Sequence, residues 1–319
     1  PVGHATTTEN RLRILLKEGI PYGRATSMVL PDYYNFRNTQ RPQVRTATQK
    51  EESQTKLKVW SINAHGLSSA TRIAMFAIEL ECMEPGIVLI QETWRKETGE
   101  SIQIGDWRVH LSGNERTPRG SGTGIAIHKS LQVKSWKHVS GRITTIRMQF
   151  GKSHMTTMSV YSPCDKTLTA RSEEFYKKMD AEAAEAKSKG DMLIVGGDWN
   201  AQIRKEDAPE AVGGWACNTS DGPGKRFGRF QQQHSLYLPT PWCQTQWRDR
   251  YTWSRGNSKS VVDWISISEE GNKYKPTPIR KRVCDLNSKH RSGGPVLTIQ
   301  QHILPSKRNC LLYPPDAAD

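Results

Sequence analysis

Ile87-Val88-Leu89-Ile90-Gln91-Glu92-Thr93-Trp94 runs from four consecutive aliphatic residues straight into an amide and a carboxylate. Strict alternation would leave one face wet, whereas an unbroken apolar run reads as a strand buried on both faces. Just upstream, Pro85-Gly86 stops a helical pattern that starts at Ser68 or Ser69 and continues to about Met83, with Ile73, Phe76, Ala77 and Leu80 on one face. Leu57 to Asn63 precedes it as another β-like run, so the segment reads strand-helix-strand. The pattern recurs downstream. Met155 to Tyr161 leads into an Ala-, Glu- and Lys-rich helix over Ser172 to Lys187, with Gly190 just past its end. Met192 to Val195 follows and opens into Gly196-Gly197-Asp198-Trp199-Asn200. Trp107 to Leu111, Gly124 to His128 and Ile143 to Phe150 are strand candidates between the two units. Gly224 to His234 reads as a further helix, and Tyr251 to Trp253 with Val261 to Ser268 as a late hairpin. Meander strands between two strand-helix-strand units predict an α/β chain of packed sheets with outer helices, not a single doubly wound sheet.

The bulk properties restrict the partners. Across 319 residues the formal net charge is +14, with a pI near 9.6 and a mean hydropathy of −0.69. Such a surface favours a polyanion, nucleic acid or an anionic membrane face. No stretch approaches the ~20 apolar residues of a membrane helix, and no secretory signal opens the chain. Cys82, Cys164, Cys217, Cys243, Cys284 and Cys310 show no zinc spacing and read as free thiols of a reducing compartment. Residues 1–56 mix Arg, Thr, Gln and Pro and read as a basic arm or linker. Residues 57–305 form the expected domain and 306–319 a tail. Opening at Pro1 rather than Met, the chain is expected to be a processed or excised piece of something longer.

Four runs end in polar side chains: Asn63, Glu92, Asp198 with Asn200, and Asp263, joined by a late His290. One acid at a strand end is an ordinary turn or cap residue. Four together suit phosphodiester chemistry, where a hard cation held by one or two carboxylates offsets the negative charge that repels an attacking hydroxide. Glu92 is the best ligand, with Asn63 as a neutral oxygen donor or a support. A histidine with a near-neutral pKa can take a proton from water if a carboxylate fixes its tautomer, and Asp263 with His290 fits that pairing. Asp198 and Asn200 would orient the nucleophile and a phosphate oxygen. Two basic stretches could track a backbone: Arg116, Arg119 and Lys129 around the glycine-rich Pro118 to Gly124, and Lys273, Lys275, Arg280, Lys281 and Arg282 ahead of Lys289, His290 and Arg291. Among the tryptophans, Trp199, Trp242, Trp247 and Trp253 read as core or rim packing, one of them available as a wedge between bases. Trp264 reads as core.

In order along the chain stand N-A-H-G-L (63–67), Q-E-T (91–93), G-T-G-I-A-I (122–127), V-Y-S-P (160–163), G-G-D-W-N-A (196–201), Y-T-W (251–253), S-V-V-D-W-I (260–265) and S-K-H-R (288–291). This ordered set resembles the endonuclease/exonuclease/phosphatase superfamily, nearest to the apurinic-type endonucleases of non-LTR retrotransposons and their domesticated relatives. It spans about Leu57 to Leu304. The resemblance implies a four-layer α/β/β/α sandwich of two mixed sheets. It implies Mg²⁺ (or Mn²⁺) held by Glu92 and Asn63, Tyr161 against the scissile phosphate, Asp198 and Asn200 at the nucleophile, and Asp263 orienting His290. It further implies DNA nicking that leaves a 3′-hydroxyl, and hence an intracellular, nuclear protein. No stable protein partner is readable.

Three positions depart from that pattern. The final motif is usually S-D-H, and here it is Ser288-Lys289-His290. An ammonium about 5 Å from Mg²⁺ at an effective dielectric of about 20 would oppose it by several kcal/mol. Cys164 stands where an Asn is common, and His65 where repair enzymes carry an Asp. A nucleic-acid-binding module with weakened catalysis is therefore the alternative, and a phosphatase on the same fold is a third reading.

Overall fold

The computed structural model describes residues 55–301 except 82, 116–118, 166, 168, 243–250, 256, 270, 272–276 and 281–294. Two mixed sheets pack face to face with helices outside. β1 (Thr55–Asn63) is joined by α1 (Ala70–Glu81) to β2 (Gly86–Gln91), and β1 and β2 pair in parallel, Asn63 opposite Gln91. β3 (Thr98–Ile104), β4 (Trp107–Ser112) and β5 (Thr123–His128) complete one edge of this sheet. β14 (Thr277–Arg280) and β15 (Pro295–Gln301) complete the other, giving the order β14-β15-β1-β2-β5-β4-β3.

The second sheet repeats the plan. β6 (Val133–Ser140), β7 (Ile143–Phe150) and β8 (Ser153–Tyr161) form a meander. α2 (Ala170–Ser188) then crosses to β9 (Met192–Asp198), which lies parallel to β8 with Tyr161 opposite Asp198. After α3 (Gly222–Gln233), β10 (Leu236–Tyr237) and β13 (Asp263–Ser268) close the order β10-β13-β9-β8-β7-β6. Among the described residues β11 (Trp253–Arg255) and β12 (Ser258–Ser260) pair only with each other. The expected late hairpin is thus corrected: β13 pairs with β9 and β10, not with the Tyr251–Trp253 run.

Three apolar clusters fill the three spaces between four layers. Leu57, Val59, Ile87, Leu89, Ile194 and Ile265 lie between the sheets. Their neighbours along each strand point the other way, Trp60, Ile62, Val88 and Ile90 towards α1, and Leu193, Val195 and Trp264 into the cluster with α2 and α3. With a side-chain period of two and both faces covered, the central strands have no polar side to show. The helices start at polar caps. The Ser69 hydroxyl accepts from the Arg72 N–H, Thr169 Oγ1 from Ser172 N–H at 3.2 Å, and Asp221 Oδ1 from Gly224 N–H at 2.6 Å.

One ion pair lies at the end of the second sheet remote from Asp198. Buried Asp191 takes a two-pronged Arg147 guanidinium at 2.7 and 2.9 Å and the Thr156 hydroxyl at 2.7 Å. Burial alone would raise its carboxyl, but these donors win and hold it below the usual range. A depressed carboxylate adds stability above its unfolded pKa and loses it as the pH falls. Asp191→Asn is therefore expected to melt below wild type at neutral pH, with the gap closing below about pH 4. A gap independent of pH in paired thermal melts would contradict this.

Candidate active site at the meeting rim of the two sheets

Both parallel pairs end at the same rim, so four chain segments leave the sheets together. After β1 and β2 the loops run side by side, with Ala64, Gly66 and Leu67 N–H groups donating to the carbonyls of Gln91, Glu92 and Thr93 at 2.7–2.8 Å. A polar layer lies just beneath. Ser61 Oγ donates to Gln91 Oε1, Gln91 Nε2 to Ser159 Oγ, and Ser159 Oγ to the Ile90 carbonyl at 2.9 Å. Thr123 Oγ1 and Thr144 Oγ1 meet at 2.8 Å, and the latter donates to Ser112 Oγ. All but the Ser61–Gln91 bond cross between the sheets and fix their register where the site lies.

Asn63 stands at the centre. Its Nδ2 donates to Glu92 Oε1 at 2.9 Å and to Asp198 Oδ2 at 3.1 Å, while its Oδ1 accepts the His65 N–H at 3.1 Å. Residues 135 apart in sequence, on different sheets, thus converge on one amide. Glu92 has two further donors, the Tyr161 hydroxyl on Oε1 at 3.2 Å and the Trp94 indole N–H on Oε2 at 3.1 Å. Asp198 Oδ1 accepts from Asn200 N–H at 3.0 Å, and Asn200 Nδ2 donates to the Ser162 carbonyl at 2.9 Å. Asp263 is buried and lies directly opposite Asp198 in the β13–β9 pair. Thr252 Oγ1 accepts both the Val262 and the Asp263 N–H, a bond that fixes the Asp263 backbone through the Y-T-W segment.

Of the five non-glycine residues with positive φ among the described residues, His65, Glu92, Trp94 and Asn200 belong to this rim. Strain of that kind persists only where the surroundings over-determine it, and it gathers at functional sites. Burial, and after it the charges of Glu92 and Asp198, raises the Tyr161 hydroxyl well above its usual range and keeps it a donor. The Cys164 thiol is raised for the same reasons, burial first and then the carboxylates of Asp198, Asp165 and Glu92.

The structure also corrects the sequence reading. Lys129 is separated from Thr123 by β5, about 20 Å at 3.3 Å per residue. It pairs with Asp106 at 3.0 Å at the opposite end of the sheet, remote from Glu92. Asn63 turns its amide nitrogen to the two carboxylates and its Oδ1 to the His65 N–H. Trp199 is fully buried against Phe227 at 4.1 Å and is no wedge. Arg119 is exposed at the rim. Arg280 falls on β14 opposite Pro295. Arg116, Lys281, Arg282, Lys289, His290 and Arg291 lie outside the described residues.

Two residues at the rim had no part in that reading. Arg142 lies over the Tyr161 ring at 4.9 Å and donates to the Tyr161 carbonyl at 3.1 Å, and also to those of Ser162 and Gly120. It places a largely buried cation beside the carboxylates. Trp94 is the other; its only sequence signal is that it follows Q-E-T.

The donor set suits a hard divalent cation. Glu92 and Asp198 meet on one amide nitrogen, and the side-chain donors to Glu92, from Asn63, Tyr161 and Trp94, are all uncharged. Mg²⁺ takes one or two carboxylates and completes its octahedron with water and phosphate. Among the described residues no group of three or more His, Cys, Asp or Glu converges.

Comparison with known proteins gives the family and the fold. The profile described as Endonuclease/Exonuclease/phosphatase family matches residues 59–307. Craniofacial development protein 2 of Bos taurus is 22% identical over 217 residues, 67% of this chain and 36% of that protein. The chain thus spans about a third of that relative's length. The endonuclease domain of TRAS1, a telomere-specific non-LTR retrotransposon, superposes with a TM-score of 0.56 at 20% identity, over 77% of this chain and 98% of that one. A 3′ phosphatase from Neisseria bound to product DNA hairpin gives 0.52 at 16% identity, over 76% and 98%. These structures share the fold.

Proposed function

The chain belongs to the endonuclease/exonuclease/phosphatase family, and on that premise we propose that it is a divalent-metal-dependent endonuclease that hydrolyses a DNA phosphodiester and leaves a 3′-hydroxyl. The observation that carries this reading is the Asn63 amide shared by Glu92 and Asp198. Mg²⁺, or Mn²⁺ in its place, would be held by Glu92 and Asp198. Bound there, the cation supplies the Lewis acidity that offsets phosphate charge and stabilises the charge developing in hydrolysis. The protein's own groups do the remaining work. Asn63 keeps the two carboxylates together. Tyr161 presents a protonated hydroxyl at the rim. Asp198, with Asn200 bonded to it, orients the nucleophile, and Asp263 would orient His290 as proton acceptor.

DNA as substrate is supported by the net charge of +14 and by the exposed Arg119, whose guanidinium lies over the Trp94 ring. Likeness to the TRAS1 domain supports a retroelement origin. A second reading rests on Lys289 in the S-K-H motif, which would leave a binding module with weakened catalysis. The same assay separates the two: relaxation of supercoiled plasmid by wild type and by Lys289→Asp, each with Mg²⁺ and with EDTA. Nicking by wild type that needs Mg²⁺ is expected. Salt-sensitive binding without nicking, repaired by Lys289→Asp, would favour the second reading. Absence of metal-dependent nicking from both proteins would reject the endonuclease.

A further inference from the structure

Trp94 occupies a crevice built for it. Its φ of +54 and the Gly66 φ of +103 bring indole against backbone, and a Cβ on Gly66 would fall 2.6 Å from Trp94 Cε3. The Trp94 backbone N–H donates to the Ser121 carbonyl at 3.1 Å, tying this residue's backbone to the glycine-rich loop that carries Arg119. One edge of the indole donates to Glu92 Oε2 at 3.1 Å. The His65 ring packs against it at 4.7 Å, and the Arg119 guanidinium lies over it at 5.6 Å. Glu92 Oε1 already has two donors, from Asn63 and Tyr161; on Oε2 the indole N–H opposes any swing of the carboxylate.

A half-buried tryptophan used only for packing needs neither contact. The indole N–H has found a carboxylate rather than a backbone carbonyl, and a cation–π partner has been placed at the solvent edge, where stacking holds a flexible guanidinium in one orientation. We infer that Trp94 is a positioning residue with two duties: its N–H fixes Glu92 for the metal ion, and its ring presents Arg119 to a backbone phosphate of the bound strand. This rests on the endonuclease reading and adds to it a device that couples strand binding to the geometry of the ligand carboxylate. It also gives the His65-Gly66 turn a purpose, since a side chain at Gly66 would displace the indole.

Trp94→Phe removes the N–H and keeps an aromatic face, Trp94→Leu removes both, and Arg119→Gln removes only the charge. Binding of the full-length chain to a short labelled duplex in EDTA is followed against salt, and Mn²⁺ binding without DNA by calorimetry. Arg119→Gln is expected to lower the slope of log K against log salt by about one unit. Trp94→Leu is expected to lower it equally although Arg119 remains, and Trp94→Phe to leave it unchanged. Both Trp94 variants should weaken Mn²⁺ binding about tenfold, as loss of a bond to a ligand residue does, and Arg119→Gln should not. Partial unfolding would reduce the competent fraction without altering the slope. A wild-type slope in Trp94→Leu, or unchanged Mn²⁺ affinity in Trp94→Phe, overturns the role of Trp94 alone. Wild-type protein that binds neither Mn²⁺ nor duplex overturns the endonuclease reading with it.

Discussion

Glu92→Ala is expected to lower the rate of Mg²⁺-dependent DNA nicking by at least about 10², the scale on which catalytic groups and metal ligands act. The substitution removes the charge offered to the cation and takes the acceptor from Trp94 Nε1 and the Tyr161 hydroxyl, while Asn63 Nδ2 keeps only Asp198. Each donor left without a partner costs about 1–3 kcal/mol if water cannot reach it. Stability should therefore fall together with activity. Glu92→Gln separates the two, because the amide retains an acceptor but carries no charge. It is expected to nick as poorly as Glu92→Ala while melting closer to wild type. Initial rates on supercoiled plasmid, with thermal melts of the same preparations, provide the check. Nicking by Glu92→Gln at the wild-type rate would remove the carboxylate from the account.

The second large effect concerns the backbone that delivers Asp198. Gly197 has a φ of +153 and sits where a Cβ would fall 1.9 Å from the Val160 carbonyl oxygen. Val160 is the residue paired with Gly197 in the parallel β8–β9 ladder, so the obstacle is backbone and cannot rotate away. Gly197→Ala must force the two strands apart next to Tyr161 and Asp198. Destabilisation of about 3 kcal/mol or more is expected, as for other overpacked or strained sites. That corresponds to a fall in Tm of roughly 6–12 °C for a domain of this size. Nicking should fall even in the folded fraction, because Asp198 would leave its bond with Asn63. An unchanged Tm in differential scanning calorimetry would show that the ladder accommodates the methyl group.

Much of the fold was legible because the central strands are covered on both sides. Ile87 to Ile90 and Met192 to Val195 have no wet face, so their sequences carry no polar interruption and announce their depth. The edge strands gave no such signal. β3 reads Thr-Gly-Glu-Ser-Ile-Gln-Ile, and β6 keeps Lys134, Ser135 and Lys137 in solvent, so both pass for loops. β15 begins at a proline and ends in two glutamines, yet it pairs with both β1 and β14. Its place is set by strands far away in sequence. The misassigned hairpin has the same origin, since β13 and the Tyr251–Trp253 run are close in sequence but β13 finds its partners in β9 and β10.

The site was legible to the extent that it consists of strand ends. Asn63, Glu92, Asp198, Asn200 and Tyr161 each follow or close an apolar run, and the structure gathers them at one rim, with Asp263 across from Asp198. Trp94 and Arg142 were hidden because their surroundings are assembled in space. A tryptophan after a strand reads as packing until its N–H is seen on a carboxylate, and an arginine in a turn reads as solvated until it lies over Tyr161. Lys129 shows the converse: closeness in sequence to a glycine-rich loop meant little once a six-residue strand had carried it to the other end of the sheet.

The central claim is that Glu92 and Asp198, arriving from different sheets, hold one divalent cation between them. Crystals of the wild-type protein soaked in Mn²⁺ test it directly through anomalous scattering. A single strong peak is expected between the two carboxylates, about 2.0–2.4 Å from an oxygen of Glu92 as hard oxygen ligands require, and absent from crystals of Glu92→Gln. A peak held by other residues, or none at saturating Mn²⁺ while nicking still needs the metal, would contradict it.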